Sequence, residues 1–110
     1  MEKQHYHKLI RDRIPQIITA SGGSCEIQIL DEESYLLALE EKLSEELAEY
    51  QQSGELEELA DLLEVMMALV RAKGSSWQEL ENIRLEKRTK RGGFEEKLLL
   101  KSVTRDDLNV

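Results

Sequence analysis

Between about Glu33 and Lys73 the chain carries two long apolar stripes at helical spacing, separated only by a break at Ser53-Gly54, and this arrangement leaves few folds open. The first stretch, about Glu33 to Gln51, places Tyr35, Leu36, Leu39, Leu43, Leu47 and Tyr50 on one face. The second, about Glu55 to Lys73, carries Leu56, Leu59, Leu62, Leu63, Val65, Met66, Leu69 and Val70. So short a connection makes the two helices antiparallel neighbours. The sequence therefore predicts an all-α protein built on an antiparallel helical hairpin.

A chain of 110 residues with one Phe and one Trp buries only a modest core by itself. Apolar faces on several helices then predict that copies associate, completing a four-helix-type bundle as a homodimer or homotetramer. The expected organisation is one helical domain over residues 1–101 with a polar tail at 102–110. A net charge of -8 argues against a nucleic-acid partner, because phosphate-backbone binding needs a broad basic surface. Cys25 is solitary, so no intramolecular disulfide forms, and no apolar run reaches the length of a signal sequence or membrane span. A cytoplasmic protein without a membrane partner is expected.

The remaining elements follow from local signals. Asp12 is placed to cap a short helix through Ile14, Ile17 and Ile18 that stops at Ser21-Gly22-Gly23. Cys25 to Leu30 alternates polar and apolar residues and predicts an extended segment or short strand. Asp31 reads as the N-cap of the first acidic helix, with Glu32 and Glu33 in its first turn. Gly74 ends the second helix, and Ser76-x-x-Glu79 has the form of a capping box for a third, about Trp77 to Arg91.

The chemistry lies in where the acids fall on the hairpin. At about 100° of turn per residue, Glu46 lies roughly 20° from Tyr35 and from Leu39, and Glu58 roughly 20° from Val65 and from Leu69. Both point inward, with Glu49 and Asp61 at the margins of the same arcs. The pairs Glu46/Glu49 and Glu58/Asp61 stand one to two turns on either side of the break, so they are level in the hairpin. Glu40, Glu41, Glu45, Glu57 and Glu64 fall on polar sides, where charge needs no special reason. The plain alternative is that all of these acids are solvated faces, but an acid inside an apolar arc does not fit it.

Ions taken out of water cost several kcal/mol each, so four converging carboxylates require a counter-charge. Lys42, the one base within the first helix, cannot neutralise four acids. His5 and His7 are remote in sequence, and an oxygen-only donor set favours Mg2+ or Mn2+ over zinc or copper. Neither acidic helix carries the Glu-x-x-His spacing of a di-iron bundle site.

The sign of charge reverses on the third helix, where Arg84, Lys87, Arg88, Lys90 and Arg91 precede Gly92-Gly93. Cations at a helix C-terminus suit its dipole whatever else they do. Beside an acidic metal site, Lys87 and Arg91 also suit the free oxygens of a polyphosphate. Lys8 and Arg11, in the basic-apolar alternation from His7 to Pro15, are candidates for a phosphate contact or a contact between subunits. Tyr6, Tyr35, Tyr50, Trp77 and Phe94 are the aromatics able to stack on a base, and core packing has the first claim on Tyr35 and Tyr50.

The order Lys42-Leu43-x-Glu45-Glu46-x-x-Glu49, Glu58-Leu59-Ala60-Asp61 and a basic helix resembles the all-α nucleoside triphosphate pyrophosphohydrolases. That superfamily includes MazG-like proteins, dimeric dUTPases and phosphoribosyl-ATP pyrophosphohydrolases. The opening Tyr6-x-Lys8-Leu9-Ile10-Arg11-Asp12-Arg13-Ile14-Pro15 and the closing Arg91-Gly92-Gly93-Phe94 resemble a small stand-alone MazG-like subfamily of house-cleaning enzymes. The resemblance implies Mg2+ ligation by Glu46, Glu49, Glu58 and Asp61, the four that helical geometry also selects. It implies hydrolysis of a nucleoside triphosphate to monophosphate and pyrophosphate. The connector between the acidic motifs is shorter than in many relatives, and the basic helix lacks the Asn-x-Lys-Phe phrase of MazG proper. Two alternatives stand beside this expectation: a phosphoribosyl-ATP pyrophosphohydrolase, which the opening phrase disfavours, and a non-catalytic helical dimerisation module.

Overall fold

The computed structural model describes residues 2–105 and is all-α, with α1 at Ile14–Ala20, α2 at Glu32–Ser53, α3 at Leu56–Ala72 and α4 at Trp77–Arg91. Asp12 does not cap α1: the N-cap is Arg13, no side chain bonds to the first turn, and Pro15 occupies it instead. A proline there gives up an N–H that has no helical partner in any case. Cys25–Leu30 forms no strand, and Ile27 and Ile29 stay exposed, because an alternating segment needs a neighbouring strand and the described residues supply none.

Asp31 begins α2 as expected, its Oδ1 accepting the Ser34 N–H at 2.8 Å. That hydrogen bond holds the Asp31 carboxyl below its ordinary range. At the other end Gly54 takes a left-handed φ of 68° and donates its N–H to the Tyr50 carbonyl at 2.7 Å. Glycine adopts this conformation without the Cβ penalty that other residues meet. A Cβ at Gly54 would touch nothing within 4 Å, so only the backbone term is at stake. Gly54→Ala is therefore expected to destabilise the fold by about 1 kcal/mol, and Gly54→Asn by less. The check is the urea midpoint at unchanged denaturant slope.

The turn folds α3 back onto α2, and this is the one substantial helix-helix packing among the described residues. Leu39 of α2 is fully buried against Val65 and Leu69 of α3, with Tyr35, Leu36, Leu43 and Ala68 packed around them. Leu9 joins the same cluster, which pins the segment before α1 to the hairpin. A single partner helix covers only part of each apolar arc. Leu47, Leu56, Leu59, Leu63 and Met66 of the expected stripes remain exposed.

The chain divides into two compact units after Trp77. In the second, α4 buries no residue, and of its apolar side chains only Leu80 is half-buried. Its cations are largely spent locally: Arg84 bonds Glu81, Lys90 bonds Glu86 and Arg88 bonds Glu95. Of the expected polar tail, residues 102–105 are exposed without regular structure, and 106–110 lie outside the described residues. No helix among the described residues is long and apolar enough to cross a membrane.

Candidate metal centre

Glu46 points from α2 into the hairpin, as its position between Tyr35 and Leu39 on the wheel requires, and is 7% exposed. Glu58 and Asp61 face it from the first two turns of α3, each half-buried. One carboxylate oxygen from each of the three lies within 4.8 Å of the others. Glu49, one turn along α2, is exposed and outside this triad, but its carboxyl is close enough to Glu46 to act on its ionisation.

Two cations serve this cluster. Lys42 is 3.4 Å from Glu46 Oε1 and 3.5 Å from Glu45 Oε1. Glu45, placed on a polar side by the wheel, is half-buried and pairs with Lys42. Arg11 donates from Nη2 to Asp61 Oδ1 at 2.7 Å, with its Nη1 4.0 Å from Glu64 Oε1. Neither Glu49 nor Glu58 has an ion-pair partner among the described residues. Glu46 Oε2 is fully buried and accepts no hydrogen bond.

Burial pushes the Glu46 carboxyl above its ordinary range, the adjacent Glu49 carboxyl pushes it further, and Lys42 acts in the opposite direction. A hydrogen bond between Glu46 and Glu49 needs a shared proton, since two ionised carboxylates only accept. With both ionised, Glu46 Oε2 is an open lone-pair site beside two further carboxylates. These are hard oxygen donors, and they fit Mg2+ or Mn2+.

The other sequence-selected cations lie in different surroundings. Lys8 sits 5.7 Å above the Tyr6 ring and lines a small hollow with Glu41, Lys42 and Glu45 on α2. Arg11, expected to meet phosphate or another subunit, has its partners within the chain. Lys87 and Arg91 belong to the second unit, where they line a shallow hollow along α4 with Ile83, Glu86 and Lys90. The Arg11–Asp61 pair spans 50 residues, and no local pattern in the sequence reveals it. The one signal was the alternation from His7 to Pro15, which puts Leu9 in the core and leaves Arg11 beside α3.

No protein-family model matches the chain, and no solved structure matches it. The chain is 50% identical over 42 residues to an uncharacterized protein of Mycolicibacterium smegmatis. That stretch is 38% of this chain and 43% of the relative, so the match spans less than half of either.

Proposed function

We propose that the chain hydrolyses a nucleoside triphosphate to the monophosphate and pyrophosphate, using Mg2+ or Mn2+, as a cytoplasmic nucleotide house-cleaning enzyme. The observation that carries this reading is Glu46 Oε2, buried and without a partner, beside the carboxylates of Glu58 and Asp61. An orphaned anionic oxygen in a protein interior is costly unless a cation completes its surroundings. The substrate class comes from the resemblance of the acidic motifs to MazG-like enzymes. When bound, a divalent ion would supply Lewis-acid polarisation of the phosphate chain and lower the pKa of an attacking water.

Glu46, Glu58 and Asp61 would hold that ion, and Glu49 would complete the set from the exposed side. Water adds at one of the two phosphorus atoms that flank the α–β bridging oxygen, the bond from that phosphorus to the bridging oxygen breaks, a proton passes to solvent, and monophosphate and pyrophosphate separate. Lys87 and Arg91 are candidates for phosphate contacts on the charge reversal along α4 alone, since fixed positive charge favours a phosphoryl transition state. Lys8 and Arg11 are placed as additional cations of the first unit.

A second copy of the chain fits the stripe of Leu56, Leu59, Leu63 and Met66, which recurs every three or four residues along α3 and is exposed. Pairing there would complete the four-helix arrangement of a homodimer or homotetramer. The same stripe favours a second reading, a helical dimerisation module without catalysis.

A screen of normal and damaged nucleoside triphosphates, with and without Mg2+, separates the two if pyrophosphate is resolved from orthophosphate. Pyrophosphate with monophosphate, formed only when metal is added, is the expected result. No turnover of any nucleotide would leave the dimerisation module, or phosphoribosyl-ATP as the substrate, standing.

A further inference from the structure

We propose that Arg11 is an exchangeable counter-ion of the carboxylate cluster, held on Asp61 when no divalent cation is present and passed to Glu64 when one binds. The inference rests on the metal reading of Glu46, Glu58 and Asp61. Its starting point is that Asp61 has two claimants. One of its oxygens belongs to the triad with Glu46 and Glu58, while Oδ1 accepts from Arg11 Nη2 at 2.7 Å.

A divalent ion on the triad and a guanidinium on the same carboxylate repel at short range, so each weakens the hold of the other. Arg11 has somewhere to go. Glu64 lies one turn further along α3, away from Glu58, and its Oε1 is already 4.0 Å from Arg11 Nη1. A small rotation of the exposed guanidinium exchanges one acid for the other. The backbone need not move, because Leu9 keeps the segment anchored in the hairpin core. Loading of the cation and transfer of Arg11 from Asp61 to Glu64 are then one event.

The test is a double-mutant cycle read as Mn2+ affinity, measured by the loss of the free Mn2+ paramagnetic signal, with no nucleotide present. The proteins are the full chain and its Arg11→Gln, Asp61→Asn and doubly substituted forms. The Arg11 and Asp61 side chains are 58% and 41% exposed, and neither belongs to the apolar core, so neither change disturbs it. An exposed ion pair contributes up to about 1 kcal/mol, which corresponds to roughly fivefold in affinity. Arg11→Gln is expected to tighten Mn2+ binding by about that factor, and the gain is expected to vanish when Asp61 is already Asn.

A gain that persists in the Asp61→Asn background would mean that Arg11 acts only through its general field, and would overturn the exchange. Unchanged or weaker binding in Arg11→Gln would overturn it as well. Glu46→Gln separates these outcomes from failure of the site itself. Mn2+ binding that depends on Glu46 but ignores Arg11 rejects the exchange alone. Wild-type binding that ignores Glu46, or no saturable binding by the wild type, rejects the metal centre and the exchange with it. Asp61→Asn removes a proposed ligand and is expected to bind more weakly whichever residue is at position 11. In the wild-type chain, the Arg11 Nε–Hε resonance should shift on Mg2+ titration, and an unmoved resonance at saturating Mg2+ would contradict release.

Discussion

Replacing Glu58 with alanine is expected to abolish Mg2+-dependent turnover, a loss on the order of a hundredfold or more, because an ion that polarises a phosphate chain supplies several kcal/mol of transition-state stabilisation. Glu58 is half-buried, lies with Glu46 and Asp61 inside the 4.8 Å cluster and has no cation of its own among the described residues. Removing it takes one of the three clustered hard oxygens away, and Glu49, the remaining acid of the set, is exposed and outside the triad. Lys87→Ala should act differently. Lys87 lies on the exposed face of α4, and its loss should weaken turnover without abolishing it. Steady-state rates across a Mg2+ titration check both variants. Near-normal activity in Glu58→Ala would remove the site from consideration.

Glu46→Gln should have two opposite consequences. Without metal, the variant is expected to be more stable than the wild type at neutral pH by about 1 kcal/mol, because a buried, unsatisfied charged oxygen is replaced by a neutral amide of the same shape. With Mg2+ at a hundred times its dissociation constant, the wild type should gain about 2.7 kcal/mol, and the variant should gain almost nothing. The order of melting temperatures then reverses on adding metal.

The pH dependence has a definite sign. Burial and Glu49 hold the Glu46 carboxyl above the ordinary 4.5, so the folded chain binds this proton more tightly than the unfolded chain. The stabilisation from protonated Glu46 is fully present below that ordinary value and is lost as pH rises through the raised folded value. Asp31, Glu81 and Glu95, held low by their hydrogen bonds and cations, act in the opposite sense and lose stabilisation as pH falls. Their contribution is common to both proteins, so the difference between wild type and Glu46→Gln isolates Glu46. Melting curves from pH 4 to 7 without metal check it, and parallel curves would contradict the account.

What could be read from the sequence was local. Asp31 before an acidic first turn, Gly54 at the hairpin and Trp77 to Arg91 as a helix are fixed by neighbouring residues, and the structure places them so. The inward direction of Glu46 follows from helical phase alone. Asp12 failed as a cap because Arg13 takes that position with no side-chain bond to the first turn. Periodicity also identifies which residues are apolar without saying how much partner surface exists. Leu47, Leu59, Leu63 and Met66 therefore remain exposed although they belong to the predicted stripes. Glu49 shows the same limit at the site, since a position at the edge of an arc is settled only by what packs there. The Arg11–Asp61 pair depends on Leu9 docking onto the hairpin, a tertiary event that no spacing rule contains.

Glu46, Glu58 and Asp61 are proposed to share one divalent cation. Crystals grown with Mn2+ and recorded near its absorption edge test it most directly. A shared ion gives an anomalous peak within direct bonding distance of Glu46 Oε2 and of one oxygen each from Glu58 and Asp61. Strong Mn2+ peaks elsewhere, with Glu46 Oε2 still without a ligand, would contradict it.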